Sequence, residues 1–276
     1  MSGFPVIAVN TVTYLPFSLD EALRGIRAAG FRSVEIASIP GVCEHIPFDM
    51  DEAAIGALKK KLTTFGLRLC SLSAHSDLIS KKVAGFAMKA ITLASRLEAP
   101  IVNTAVGGPS NENEDESLFL KNITEIADHA RRNRVVLALE IHGTLTATGK
   151  KTIDLIRKVN HPHVKINYDT GNSLYFGDIW PYEDLKEALP EVAHIHLKDK
   201  IGGKGVWNFP PIGGGEIDFR RILGSLSAAD FLGPISIEIE FTDKGWPSLS
   251  EVDEAVVIAY RNLGKLLETA DRRANR

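Results

Sequence analysis

The stretch VAHIHLKD, Val192–Asp199, carries two histidines spaced two apart in an otherwise apolar run. An extended strand puts residues two apart on one face and their neighbours on the other. His194 and His196 therefore point together, with Ile195 and Leu197 behind them. Packing alone does not call for two imidazoles on the inner face of a buried strand. The run reads as a core strand with a polar task at its end.

Seven further short runs, apolar and rich in β-branched residues, share the chain with it. They are PVIAVN (5–10), SVEIAS (33–38), LRLCSLSA (67–74), PIVNTAV (100–106), VVLALEIH (135–142), VKINYDT (164–170) and PISIEIEF (234–241). Amphipathic segments with helix-end signals lie between them. Ser18 precedes LDEALRGIRAA and Gly30 follows it, an N-cap and a C-terminal glycine. Asp49 is expected to open the next helix and Gly66 to close it. Thr148 or Gly149 opens KKTIDLIRKV, with Pro162 beyond its end, and the acidic NENEDES (111–117) suits a helix N-terminus.

Strand and helix alternating through eight rounds predict βα units around a parallel sheet. Eight units in one chain of this length predict an α/β fold, a closed (β/α)8 TIM barrel, with residues 1–276 as a single barrel domain. An open doubly wound sheet is the alternative. NTVTYLPFS (10–18) follows the first run where a dinucleotide-binding sheet would carry its glycine-rich fingerprint. The segment KIGGKGVWNFPPIGGGE (200–216) is the longest irregular insert, and it leaves the end of the seventh run.

The 276 residues are 44% hydrophobic and 24% charged, ordinary for a globular protein, and long enough to bury a large core without disulfides. A net charge of −3 with both signs interspersed argues against a nucleic-acid partner, which calls for a basic face. Cys43 and Cys70 form no metal or disulfide pattern, so a reducing compartment is expected. The opening MSGFPVIAVN lacks a signal-peptide pattern, and no run is long enough for a membrane span. A cytoplasmic protein with no membrane partner is the expectation.

Barrel enzymes place their chemistry at the C-terminal ends of the strands. The fifth run ends with Glu140 and His142, the sixth with Asp169, the seventh with His194 and His196, and the eighth with Glu238 and Glu240. Singly, each has a bland reading as a cap, a solvated edge or a hydrogen-bonded core histidine. Together they place acids and imidazoles at one height on four neighbouring strands. Buried carboxylates gathered so closely stay ionised together only around a cation. The mixed oxygen and nitrogen donors suit one divalent ion, Mn²⁺ first, with Mg²⁺, Co²⁺ or Zn²⁺ as alternatives.

ALE, YDTGN, HIHLKD and SIE, in this order on runs five to eight, resemble the xylose-isomerase-like TIM-barrel superfamily, as does GFRSVEIAS (30–38) near the start. That group includes tagatose/psicose-type 3-epimerases, hydroxypyruvate isomerase, inosose dehydratase and endonuclease IV. The resemblance implies metal ligands at Glu140, Asp169, His196 and Glu238. It implies Glu140 and Glu238 as the catalytic pair, one removing a proton beside a substrate carbonyl and the other returning it. His194 then fills a polar inner layer or touches substrate. A homodimer or homotetramer also fits the resemblance.

The nuclease branch needs a trinuclear site with further histidines. His75 matches one of them, but Asn172, Trp207 and Phe209 stand where other ligands belong. A metal-dependent isomerase or epimerase of a ketose, working through an enediolate, is the leading expectation. A dehydratase acting on a cyclic keto-polyol is the runner-up, with His75 or His142 as the acid at the leaving group. A non-catalytic metal-binding barrel is the third reading. Tagatose/psicose epimerases carry a His where Asn172 stands and an Arg where Gly202 stands. Lys198, on the His196 side of its strand, is the nearest positive group. Together with His75, His142, Asn172 and Trp207 it completes the candidate substrate contacts, and Trp207 and Phe209 are candidates for an apolar wall or lid.

Overall fold

The computed structural model describes residues 5–107 and 115–274. Eight strands carry the fold: β1 (Ile7–Asn10), β2 (Ser33–Ile39), β3 (Arg68–Ser73), β4 (Ile101–Thr104), β5 (Val136–Glu140), β6 (Val164–Asp169), β7 (Val192–Leu197) and β8 (Ile235–Ile237). Each pairs in parallel with its chain neighbour. β8 pairs with β1 and β1 with β2, so the sheet closes on itself. The structure is the (β/α)8 TIM barrel that the alternating runs predict.

The helices are α1 (Leu19–Ala29), α2 (Glu52–Phe65), α3 (Lys81–Arg96), α4 (Glu116–Asn133), α5 (Gly149–Val159), α6 (Thr170–Tyr175), α7 (Pro181–Ala188), α8 (Phe219–Ala228) and α9 (Leu249–Ala274). Ser18 and Glu21 form a reciprocal capping box at the start of α1, and Gly30 closes it at φ 114°. Thr148 caps α5 by accepting from Lys151 N. The start of α2 departs from expectation: Asp51, not Asp49, is its cap, because the carboxylate must reach the amide three residues on, here Ala54 N. Of the acidic run before α4, Asp115 caps the helix through Ser117 N and Leu118 N, and residues 111–114 lie outside the described residues.

Helix faces follow the 3.6-residue period. In α1, Ala22, Leu23, Ile26 and Ala29 are buried, and in α4, Phe119, Ile123, Ile126, Ala127 and Ala130. Each fully buried large aliphatic side chain contributes about 1.5–3 kcal/mol relative to an exposed one. α1 also packs on α9 at close range. Tyr14 Oη donates to Asp253 Oδ1 at 2.8 Å, and a Cβ on Gly25 would lie 2.0 Å from that same oxygen.

The apolar core lies between sheet and helices. Ile195 and Leu197 face it, both fully buried. The barrel interior is different, for Asn10, Glu35, Ser71, Asn103, Glu140, Asn167, His194, His196 and Ser236 are all buried. Register places Asn10 beside Glu35, Glu140 beside Asn167, and Asp169 beside His196. Polar groups so deep cost stability unless every one finds a partner.

Both cysteines are free and buried. Among the described residues, no helix is long and apolar enough to cross a membrane.

Candidate functional site

Glu140 and Asp169 are the last residues of β5 and β6, His196 is the penultimate residue of β7, and Glu238 follows β8 directly. The barrel thus brings the four predicted side chains to one mouth. His196 Nδ1 lies 3.2 Å from Glu140 Oε2, 3.2 Å from Glu238 Oε2 and 3.9 Å from Asp169 Oδ2. Ligand atoms of Glu140, Asp169 and His196 fall within 4.8 Å of one another.

Asp169 does two jobs. Its Oδ1 caps α6, accepting from Gly171 N and Asn172 N at 2.8 Å each. Its Oδ2 is buried and makes no hydrogen bond. A buried carboxylate oxygen without a hydrogen bond, grouped with Glu140 and His196 and balanced by the Lys198 ammonium 3.5 Å away, is a donor that a metal cation could take up. Gly171 gives the room: a Cβ there would lie 2.9 Å from Lys198 Cγ.

A second donor cluster, Glu35, His194 and His196, sits one layer deeper. Here the hydrogen-bonding capacity is taken up. His194 Nδ1 donates to Asn167 Oδ1 at 2.9 Å, and its Nε2 accepts from Ser71 and Ser236 at 3.0 and 3.1 Å. Glu35 Oε1 accepts from Asn103 Nδ2 at 2.6 Å, and Oε2 lies 3.1 Å from His196 Nε2. The deeper cluster is a saturated support, and the upper one keeps free donor capacity.

Lys198 enters the site from beyond β7. Its Nζ is 2.7 Å from Glu238 Oε1 and 3.5 Å from Asp169 Oδ2, and it also pairs with Glu240 Oε2. The Phe209 ring covers it, 4.6 Å from Nζ to centroid. Asn172 bridges, donating to Glu140 Oε1 at 3.1 Å and accepting from Lys198 at 3.5 Å. His75 Nε2 is 3.0 Å from Glu140 Oε2 and is 22% exposed, which links that carboxylate to the outside. His142 packs on His75 and Phe176, and its Nδ1 is buried without a hydrogen-bond partner. Trp207 stands one layer out. Its indole donates to Glu240 O at 3.4 Å and its ring meets Phe209 and Tyr175 edge-on.

The proton affinities follow from these contacts. Burial would raise Glu35, but the His196 and His194 imidazoles pull it down to about 2. Burial also opposes ionisation of Glu140, yet His75 and His196 hold it well below the usual range. Asp169 goes the other way, raised to about 7 by burial, with Lys198 opposing and the Glu140 and Glu238 charges adding. Burial drives His194 down to about 4 and His142 down to about 3. His196 is raised well above an ordinary histidine: burial opposes its charge, but Glu35, Glu238 and Glu140 outweigh it.

The insert after β7 is anchored at its base. Asp199 accepts from the amides of Gly213, Gly215 and Ile217, at 2.8, 2.9 and 3.3 Å. The buried Lys200 ammonium is capped by the carbonyls of Ile201, Gly202 and Gly203. Asn208–Phe209 pairs antiparallel with Phe241–Thr242, tying the insert to the loop after β8. Lys200 is therefore a structural cation.

Strand ends alone do not reveal Glu35, Asn10, Asn103 or Asn167. Asn10 Nδ2 donates to Glu238 Oε2 at 2.7 Å, and Asn167 Nδ2 to Glu140 Oε2 at 3.2 Å. Their one signal in the sequence is a polar residue at an inward register inside an apolar strand.

Residues 23–262 match the family model described as Xylose isomerase-like TIM barrel. An L-ribulose-5-phosphate 3-epimerase of Shigella sonnei is 26% identical over 258 residues, covering 88% of this chain and 87% of that protein. The solved structure of an L-ribulose 3-epimerase superposes with a TM-score of 0.79 at 20% identity, covering 99% of this chain and 97% of that one. A xylose isomerase-like TIM barrel protein from Mycobacterium smegmatis, solved in complex with magnesium, gives 0.71 at 20% identity, with 93% and 96% covered.

Proposed function

The chain belongs to the xylose isomerase-like TIM barrel family, and on that premise we propose that it is a divalent-metal-dependent epimerase or isomerase of ketoses or related keto-polyols. The observation that carries this reading is the gathering of Glu140, Glu238 and Asp169 around His196 Nδ1, at 3.2, 3.2 and 3.9 Å, with Asp169 Oδ2 buried, without a hydrogen bond and facing the Lys198 ammonium at 3.5 Å. Glu140, Asp169, His196 and Glu238 would hold the ion, and their oxygen-rich donor set suits Mn²⁺, with Mg²⁺ or Co²⁺ as alternatives. When bound, the ion supplies Lewis-acid polarisation of a substrate carbonyl and acidifies the neighbouring C–H.

The chain's own groups do the proton work. Glu140 and Glu238 reach the site from the non-adjacent strands β5 and β8, and both approach His196 Nδ1. One takes the proton and the other returns it, on the opposite face for an epimerase or at the next carbon for an isomerase. Asn172 and His75 fix Glu140, and Asn10 and Lys198 fix Glu238, so neither carboxylate has to reorganise. His75 gives a proton held on Glu140 a route to water. Phe209 and the anchored insert limit water at the Lys198 side.

A dehydratase is the second reading, with His75 as the acid at a leaving hydroxyl, since burial opposes its charge but the Glu140 carboxylate outweighs burial and raises its proton affinity. Incubation with Mn²⁺ and a panel of ketoses and inososes in D₂O separates the two. Deuterium uptake beside the carbonyl, abolished in Glu140→Gln and Glu238→Gln, supports the epimerase or isomerase. Formation of an unsaturated or diketone product supports dehydration. Stoichiometric Mn²⁺ binding with no exchange on any substrate would leave a non-catalytic metal-binding barrel.

A further inference from the structure

Building on the metal site proposed above, we infer that Glu35 is a positioning residue that forces His196 to present Nδ1 to the ion. The two ring nitrogens of His196 face different surroundings. Nε2 is turned down to Glu35 Oε2 at 3.1 Å, Nδ1 is turned up to Glu140 and Glu238 at 3.2 Å each, and the Asn167 amide lies beside the ring, its Nδ2 3.2 Å from Nδ1 and 3.3 Å from Nε2. An imidazole ligates a metal through an unprotonated nitrogen, so its proton must sit on the other one. A carboxylate at Nε2 fixes it there. With Nε2–H donating to Glu35, the lone pair sits on Nδ1, on the side of the Glu140 and Glu238 carboxylates, where the ion would bind.

Glu35 is itself held. Asn103 Nδ2 donates to its Oε1 at 2.6 Å, and it is fully buried. His194, 3.5 Å from Oε2, is saturated by Asn167, Ser71 and Ser236 and closes the remaining side. The order Asn103, Glu35, His196 and then the ion crosses the barrel from β4 through β2 to β7. It ties ligand geometry to strands that carry none of the four ligands.

The test is Mn²⁺ titration of the purified chain, read by the free-Mn²⁺ electron paramagnetic resonance signal and by metal stoichiometry. The wild-type chain is expected to bind one ion. Glu35→Gln, which presents an amide to Nε2 and no longer fixes the proton there, is expected to keep one ion with a Kd weakened about 10- to 100-fold. Glu35→Asp should recover part of that loss. Asn103→Ala, which frees Glu35 without changing any charge, should weaken Kd in the same direction by a smaller factor, and it decides the matter if Glu35→Gln fails to fold. A folded Glu35→Gln with wild-type affinity would overturn the inference. So would two ions in the wild type with one lost in Glu35→Gln, since Glu35 would then be a ligand in its own right. A wild-type chain that binds no Mn²⁺ removes the metal reading itself, and this role with it.

Discussion

Lys198 Nζ lies 2.7 Å from Glu238 Oε1 and is held at the same time by Asp169 and Glu240. One buried ammonium thus serves three carboxylates, and its charge is raised well beyond ordinary lysine stability: burial opposes it, but Asp169, Glu238 and Glu240 outweigh burial. Removing it leaves acids without compensation. Breaking a buried pair of this kind costs about 3–5 kcal/mol. Lys198→Met is expected to lower the melting temperature sharply in the presence of a chelator, and saturating Mn²⁺ should recover much of the loss. Differential scanning fluorimetry with and without Mn²⁺ checks this. An equal drop in both conditions would show that Lys198 supports packing rather than the acid cluster.

Metal uptake should be proton-linked. Asp169 is raised to about 7 by burial and by the neighbouring acids, and His196 is raised well above its usual value by Glu35, Glu238 and Glu140. Both must give up a proton to act as ligands, so lowering the pH favours the forms that cannot bind. Apparent Mn²⁺ affinity is expected to fall about tenfold per pH unit for each proton released, the Asp169 contribution setting in near pH 7 and that of His196 at higher pH. Calorimetric titrations in buffers of different ionisation enthalpy count the protons directly. A pH-independent affinity between pH 6 and 8 would show that Asp169 is already ionised in the metal-free chain.

Asp199 organises the insert after β7 through the Gly213, Gly215 and Ile217 amides. The glycine at 215 is required by the close approach, since a Cβ there would lie 2.3 Å from Asp199 Oδ1. Asp199→Ala strands those amides at about 1–3 kcal/mol for each buried group left unpaired. Hydrogen exchange across residues 200–217 should speed up while the strands stay protected. KM should rise more than kcat falls, since the proton-transfer residues are untouched. Unchanged exchange in this segment would mean that Lys200 and the Asn208–Phe209 pairing suffice to hold it.

Gly25→Ala tests the close contact between α1 and α9. Its Cβ would meet Asp253 Oδ1 and Tyr14 Oη at 2.0 and 2.2 Å. Overpacking typically costs about 1–3 kcal/mol, which for a chain of this size lowers the melting temperature by about 2–4 °C per kcal/mol. Metal affinity should not change. A loss of affinity would reveal coupling between the α1–α9 contact and the strand ends.

Much of this was legible because its causes are local. The caps at Ser18 and Thr148 depend on four consecutive residues, and the shared face of His194 and His196 needs only the two-residue strand period. Lys198 falls on that face for the same reason. Asp49 misled because a second aspartate, Asp51, offers the same chemistry two residues later. Glu35 lies within SVEIAS with no local signal of its role, which comes from a partner 161 residues away. Asn10 and Glu238, 228 residues apart, meet only because β8 pairs with β1. Contacts that exist only after ring closure leave no periodicity behind.

The anchored base of the 200–216 insert has a consequence for evolvability. Asp199 and Lys200 fix its two ends, and the Asn208–Phe209 pairing fixes one flank, so the exposed side chains of Lys204 and Val206 at its tip carry little of the scaffold. Mutational drift there can reshape what the mouth admits without disturbing ligands or strands. A randomised library confined to those positions is the natural starting point for directed change of selectivity.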